Sequence, residues 1–92
     1  MNVQVSDRAI EDLLAIAERL SDFSISGALA VVDSYDRVLE QLRDFPLSGQ
    51  ASPVAVGMRV IRSGVYRFLY FVSEDHVVLA RILDGRGQHD LP

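Results

Sequence analysis

Hydrophobic and polar residues follow two different periods along this chain. Residues 2–5 alternate polar and apolar, which predicts a short strand that ends at Ser6, a residue type that caps helices. Beyond Ser6 the apolar residues recur every three or four positions, which predicts a helix with one apolar face. The residues of this face are Ile10, Leu13, Leu14, Ala17 and Leu20. Residues 21–24 interrupt the period, so the helix is expected to end there.

A second helix is predicted between Ser24, which can cap it, and Pro46, which ends it. Its apolar face comprises Ile25, Ala28, Leu29, Val32, Tyr35, Leu39 and Leu42. Residues 46–53 contain turn formers without any period, so a loop is expected after the helix. Four aromatic residues fall on or beside apolar stripes and are interpreted mainly as core: Tyr35, Phe45, Phe68 and Phe71.

Three β-rich runs follow, Met58–Arg62, Val65–Val72 and Val77–Leu83, and short turn-forming segments separate them. A three-stranded antiparallel meander is the simplest topology for such a pattern. The element order is then β-α-α-β-β-β, an α+β fold in which a two-helix hairpin packs on one face of a small, mainly antiparallel sheet. The 92 residues, 49% of them hydrophobic, suit one domain that spans 1–92.

Each strand of the meander carries an arginine: Arg59, Arg67 and Arg81. A three-residue hairpin loop, Arg62 to Gly64, would place Arg59 opposite Arg67, whereas a two-residue loop would separate them. An odd-length second loop would add Arg81 and complete a row across the sheet. Three adjacent guanidinium groups repel one another, so a row would call for an anion or an acidic partner. Arginines paired with nearby carboxylates would instead indicate an ordinary solvated face.

Composition narrows the classes of function. The net charge of −4 repels phosphate, so direct binding of nucleic acid is not expected. The acidity is concentrated in residues 1–46, with nine acids and four arginines, whereas residues 47–92 hold four acids and five arginines. Cysteine and lysine are absent, so thiolate metal sites and lysine chemistry are excluded, and no cofactor or metal is expected. The N-terminus has no long apolar run, which predicts a cytoplasmic protein without membrane contact.

The sequence resembles toxins of the RelE/ParE superfamily over nearly its whole length. Residues 6–20 resemble the first helix of the family, and LRDFPLSG at residues 42–49 resembles its leucine, proline and glycine hallmark. The strands match best: Arg59, the segment GVYRFLY at residues 64–70, and VLARIL at residues 78–83 before Gly85 stand where the family has its arginine, its Tyr-Arg-x-x-Tyr segment and its last strand. The order and spacing of these motifs are more specific than any one of them.

The resemblance implies the toxin of a type II toxin–antitoxin system, a class associated with plasmid stabilisation, which a cognate antitoxin holds inactive in a hetero-oligomer. RelE-like members cleave mRNA on the ribosome, whereas ParE-like members poison DNA gyrase. The residues favour the ParE-like class, because lysine is absent and few groups could transfer a proton. Gyrase is then the expected target, and the chain would not be an enzyme. The candidate residues for binding the target or an anion are Arg59, Arg67, Arg81 and Arg86.

A RelE-like ribosome-dependent mRNA endoribonuclease stays open as an alternative. Cleavage would require an acid and a base, and arginine supplies neither because it stays protonated. The candidate catalytic set would be His89 for proton transfer with Arg67, Arg81 and Arg86. His76 is expected in a hairpin loop as an ordinary solvated histidine.

A non-toxic relative that only binds its antitoxin is the other alternative. Asp84 stands where many relatives have histidine in a His-Gly-Arg-Arg-like stretch, and Gly87 replaces the second arginine of that stretch. These departures concern activity and leave the expected fold unchanged.

Overall fold

A computed structural model describes residues 1–53 and 55–85 of the chain. The two helices of these ranges are α1, Asp7–Ser21, and α2, Ile25–Asp44. Their strands are β1 Asn2–Val5, β2 Gln50–Ala51, β3 Arg59–Ser63, β4 Tyr66–Val72 and β5 His76–Asp84. The predicted element order is confirmed with one addition. Segment 46–53 was predicted as loop throughout, and it contains the two-residue strand β2 because Gln50 and Ala51 pair with β3.

The strands form one sheet in the order β1-β5-β4-β3-β2. Strand β1 runs parallel to β5 and the other neighbours are antiparallel, which confirms the predicted, mainly antiparallel sheet. A register shift interrupts the β4–β5 ladder: Leu69 pairs with Arg81, Tyr70 pairs with Leu79, and Ala80 between them is the extra residue of a bulge.

Both predicted helix caps are present. The Ser6 hydroxyl accepts a hydrogen bond from the backbone N–H of Ala9 at 3.0 Å and donates one to the carbonyl of Ala80 at 2.8 Å. Ser6 therefore begins α1 and also attaches its first turn to β5. The Ser24 hydroxyl accepts from the backbone N–H of Gly27 at 3.1 Å and begins α2 in the same way.

The helices pack on one face of the sheet, and the core lies between them. Its buried members are Ala9, Ile16, Val31, Val38, Leu42, Ile61, Phe68, Tyr70, Val77, Leu79 and Ile82. The predicted stripes were partly wrong, because the helices turn a neighbouring line of residues toward the sheet. Leu14 of α1 is 61% exposed and Leu29 of α2 is 64% exposed, whereas Ile16 and Val31 are buried.

The interpretation of the aromatic residues as core is confirmed for Phe68 and wrong for two others. Tyr35 is partly buried against the core. Phe71 lies outside the core under the helices, because it follows the core residue Tyr70 on β4 and successive strand residues point to opposite faces, and it is exposed there. Phe45 is exposed because it caps the end of α2, beyond the last turn that packs on the sheet. Within the described residues, neither helix combines the length and the apolar character that a membrane span requires.

Candidate functional site

The turn between β3 and β4 determines which arginines become neighbours. Ser63 pairs with Tyr66, so the loop consists of Gly64 and Val65 alone. Gly64 has φ +60°, and in the described ranges only glycines have a positive φ. This is the pattern of a type II′ turn, in which glycine takes the first central position. The three-residue loop is therefore wrong, and Arg59 lies opposite Tyr70 rather than opposite an arginine.

Arg59 stabilises the loop that follows α2. It shares the face of Tyr70, its cross-strand partner in the core. One guanidinium nitrogen, Nη1, donates to the carbonyl of Gly49 at 2.7 Å and to the carbonyl of Leu47 at 3.3 Å. These bonds hold residues 47–49 against the first residue of β3. Arg59 therefore stabilises this loop and does not lie in a row with Arg67 and Arg81.

Arg81 is bound to a carboxylate of the first helix. Its Nε lies 2.8 Å from Oδ2 of Asp12, and its Nη2 lies 3.2 Å from Oδ1. The backbone N–H of Ile82 donates to the same Oδ2 at 2.9 Å, so Asp12 sits at the part of the β5 edge that lies beyond the pairing with β1. Arg81 therefore connects β5 to α1, and the row of three arginines, which was one of the two arrangements that the sequence left open, does not form.

Asp12 is the titratable group that this arrangement changes most clearly. Burial raises its pKa, but the hydrogen bonds from Arg81 and Ile82 and the charges of Arg81 and Arg8 outweigh burial and hold the pKa below its ordinary value. The last residue of β5 is attached to the same helix, because Arg19 Nη2 lies 3.1 Å from Oδ2 of Asp84. Asp84, a residue that departs from the family pattern, thus forms an ion pair with Arg19 of α1.

Arg67 lies directly opposite Arg62, which was not among the predicted site residues. The Nε of Arg67 is buried and has no hydrogen-bond partner within residues 1–53 and 55–85. The ion pairs found in those ranges include neither arginine. Like charges directly opposite one another destabilise a sheet. The turn was predicted at residues 62–64 or 63–64, whereas the observed turn is Gly64-Val65, so neither predicted loop pairs Arg62 with Arg67.

The arginine pair borders a cavity that lies beside the edge of β3, between the sheet and the loop after α2, and reaches Gln41 of α2. Its volume is about 560 Å³, and residues 48–53 form one side. Leu69 and Leu83, which are 5% and 4% exposed, contribute to its lining and lie outside the core cluster under the helices. A smaller cavity of about 210 Å³ continues past the pair toward Gly64 and Gly85. We call the larger cavity together with Arg62 and Arg67 the arginine cleft.

Gly49 fixes the loop that borders this cleft. Its backbone N–H donates to the Tyr70 hydroxyl at 2.9 Å. A Cβ at this position would lie 2.7 Å from that hydroxyl and 2.8 Å from the carbonyl oxygen of Val60, which is closer than real Cβ contacts allow. Only glycine fits here, so the final residue of the segment LRDFPLSG has a steric explanation in this chain.

The groups that could transfer protons lie elsewhere or beyond the described residues. His76 is the first residue of β5 rather than a loop residue, and its Nδ1 lies 2.8 Å from Oδ1 of Asp75. It pairs with Asn2 at the end of β5 opposite to Leu83, the cross-strand partner of Arg67. Arg86 and His89, two further candidates, lie outside the described ranges, as does Gly87.

In the described part of the chain, the side chains that line the arginine cleft include no carboxylate, imidazole or amine that could act as acid or base. The same part of the chain has no group of His, Asp and Glu residues that could hold a metal ion. The two guanidinium groups of the cleft can bind an anion through charged hydrogen bonds.

Two solved structures share this architecture. A chain of the chromosomal ParDE toxin–antitoxin system from P. aeruginosa aligns with a TM-score of 0.77 and 20% identity, covering 89% of this chain and 92% of that one. A chain of the toxin–antitoxin complex RelBE2 from Mycobacterium tuberculosis aligns with a TM-score of 0.65 and 22% identity, covering 88% and 93%. At these identities the likeness establishes the fold.

Sequence comparison gives the family. A search of curated proteins found no match. The family model described as the ParE toxin of the type II toxin–antitoxin system parDE matches residues 3–89, which is nearly the whole chain. The chain therefore belongs to the ParE toxin family.

Proposed function

We propose that this ParE-type toxin acts by binding DNA gyrase in the cytoplasm, without catalysing a reaction, and that a cognate antitoxin neutralises it. The observation that carries the proposal is the chemistry of the arginine cleft. Its cations, Arg62 and Arg67, have no acid or base beside them among the described lining residues. Such a site can hold a partner but cannot activate a hydroxyl group.

Cleavage of RNA would require more than positive charge. A base must remove the proton of the 2′-hydroxyl, and an acid must protonate the leaving oxygen. His76 is in contact with Asp75 and belongs to the opposite end of β5, so it is badly placed for either role at the cleft. The net charge of −4 also opposes docking on a ribosome, whose surface is rich in phosphate.

An apolar surface on the helices supports the antitoxin as partner. One side of α2 carries three exposed apolar residues at helical spacing, Ile25, Leu29 and Val32. On α1, Ile10 and Leu14 are exposed at the same spacing. We call these five residues the apolar helix surface. Exposed apolar groups arranged at helical spacing suit an amphipathic helix of a partner protein. A toxin–antitoxin hetero-oligomer would cover them.

The experiment that tests this function separates the two targets. The toxin is expressed without antitoxin, and in parallel the purified protein is added to gyrase with relaxed plasmid and to a translating ribosome extract. We expect arrested replication, a DNA-damage response and loss of supercoiling, with mRNA left intact. Cleaved mRNA with normal supercoiling would contradict the proposal, and normal growth would indicate a non-toxic antitoxin-binding protein.

The ribonuclease remains the second candidate because the RelBE2 toxin–antitoxin complex shares the fold. In that case Arg67 and Arg86 would bind phosphate, and His89 would transfer the proton. Arg81 would also bind phosphate, with a guanidinium group that is at the same time bound to Asp12. His89→Ala should then abolish cleavage of mRNA. Cleavage that survives this substitution would remove His89 from the mechanism.

A further inference from the structure

Arg67, which lines the arginine cleft, has a hydrogen-bond donor without a partner in residues 1–53 and 55–85. Its Nε is buried, and the described residues offer it no acceptor. A buried N–H group of a charged side chain normally has a partner, because losing water without gaining a hydrogen bond is unfavourable. The donor belongs to a residue that lines both cavities, so a small shift of its side chain would be enough to turn this donor toward a molecule in either one.

Arg62 places a second positive charge beside this donor. The two residues are directly opposite on β3 and β4, and no carboxylate of the described residues forms an ion pair with either. An anion between them would offset their repulsion and supply acceptors for several N–H groups at once. Guanidinium groups bind carboxylates and phosphates through such paired hydrogen bonds.

The lining of the cleft favours a carboxylate over a phosphate chain. Val60, Leu69 and Leu83 give it an apolar wall, and Pro53 contributes from the loop side. Apolar side chains next to a carboxylate would be buried against this wall, whereas a nucleic acid backbone offers little apolar surface for it. A protein with a net charge of −4 also repels a polyanion more strongly than it repels a single carboxylate.

The edge of β3 beside the cleft can accept an extended chain. Strand β2 pairs only with Arg59 and Val60, so in the described structure residues 61–63 have no strand neighbour on that side. A peptide that continues the line of β2 would add backbone hydrogen bonds to this edge. Its side chains would then alternate between the two faces of the sheet, and every second one would face the cleft.

We propose that the arginine cleft binds an extended peptide segment through an aspartate or glutamate side chain that has apolar neighbours. The carboxylate lies between Arg62 and Arg67 and accepts from their guanidinium groups, including the buried Nε once the Arg67 side chain shifts toward it, and the apolar neighbours contact Leu69 and Leu83. The peptide occupies the same cleft on which the proposed function rests, but the test of binding does not require gyrase to be the target.

The test uses the ¹⁵N-labelled full-length protein and a blocked tripeptide, acetyl-Leu-Asp-Leu-amide, titrated to millimolar concentration. We expect saturable shifts of the Arg67 Nε–H signal and of the backbone signals of Leu69 and Leu83. The matched peptide with asparagine in place of aspartate should bind about tenfold more weakly, because it lacks the charge. Absence of any saturable shift at Arg67 would overturn the proposal, as would equal binding of the two peptides.

Protein variants and other anions complete the test. Arg62→Gln and Arg67→Gln should each weaken binding about tenfold or more, while Arg37→Gln, at an exposed arginine of α2 that pairs with Asp33, should leave it unchanged. The unfolding temperature of each variant shows whether the fold is retained. Inorganic phosphate or a single-stranded oligonucleotide that binds more tightly than the aspartate peptide would overturn the assignment to a peptide.

Discussion

Asp12 of α1 and Arg81 of β5 form a two-pronged ion pair, with Nε–Oδ2 at 2.8 Å and Nη2–Oδ1 at 3.2 Å. The same carboxylate accepts from the backbone of Ile82. The Asp12 side chain thus accepts a backbone hydrogen bond from β5 that a neighbouring strand would otherwise accept.

We expect Asp12→Asn to lower the free energy of unfolding by about 1–3 kcal/mol, because it leaves Arg81 with a neutral partner and weakens charged hydrogen bonds. Urea unfolding followed by circular dichroism measures the change. Asp33→Asn is the control, since Asp33 forms an exposed ion pair with Arg37 and should change stability by less than about 0.5 kcal/mol. Equal effects of the two substitutions would show that Asp12 has no special role.

The same carboxylate should make stability depend on pH at the acidic end. Its pKa is lowered in the folded protein, so the unfolded chain binds the proton more readily. The contribution of Asp12 is therefore complete above the ordinary value of 3.8 and is lost as the pH falls through the lowered pKa. We expect the difference in unfolding free energy between wild type and Asp12→Asn to shrink below about pH 4. A difference that stays constant from pH 7 to pH 2 would contradict the ion pair.

Gly49→Ala should lower the free energy of unfolding by about 1–3 kcal/mol. The added methyl group would meet the Tyr70 hydroxyl and the backbone of Val60, and the backbone cannot move without disturbing β3. Gly27→Ala in α2 provides the contrast. There the nearest atom is Cβ of Ser24 at 3.6 Å, so alanine fits and should stabilise by about 0.5–1 kcal/mol. Thermal unfolding of both variants distinguishes a local clash from a general intolerance of alanine.

Arg62→Glu should raise the free energy of unfolding by about 0.5 kcal/mol, because it replaces a like-charge pair opposite Arg67 with an attractive one. The substituted carboxylate would also occupy the position that we assign to the peptide ligand, so binding of the aspartate tripeptide should disappear. Arg62→Gln separates the two effects, since it removes the repulsion without supplying a carboxylate. A lower stability of Arg62→Glu than of Arg62→Gln would contradict the predicted contact.

Leu29→Asp should weaken binding of the antitoxin about tenfold or more and leave the fold intact, because Leu29 is 64% exposed on the apolar helix surface. Leu47→Asp is a control of matched exposure, 62%, in the loop after α2. Isothermal titration of each variant with antitoxin gives the affinities. A loss of affinity confined to Leu47→Asp would place the antitoxin interface at the loop.

The element order and both helix caps could be predicted from the sequence, because caps and periodicity are local signals. Ser6 and Ser24 each satisfy N–H groups within the next three residues, so their role does not depend on the rest of the fold. The packed side of each helix was predicted less well. Burial of Ile16 in place of Leu14 depends on how α1 is rotated against β5, and this rotation involves the contact of Asp12 with a distant strand.

The candidate site depended on register, which sequence determines only through the turn. The position and length of the hairpin loop set every partner along β3 and β4: a loop at residues 62–64 would place Arg59 opposite Arg67, whereas the observed loop at residues 64–65 places Arg62 there. Gly64 is compatible with a two-residue or a three-residue loop, and the two loops differ little in the sequence signals they show. The pairing of Arg62 therefore required the structure.

The parallel pairing of β1 with β5 brings together the two ends of the described chain. Asn2 pairs with His76, and Ser6 contacts Ala80 across 74 positions of sequence. During synthesis the first strand has no partner until the last strand has left the ribosome, and contacts of this sequence separation form slowly. The sheet is thus completed only when β5 becomes available, after both helices and the other strands have been synthesised.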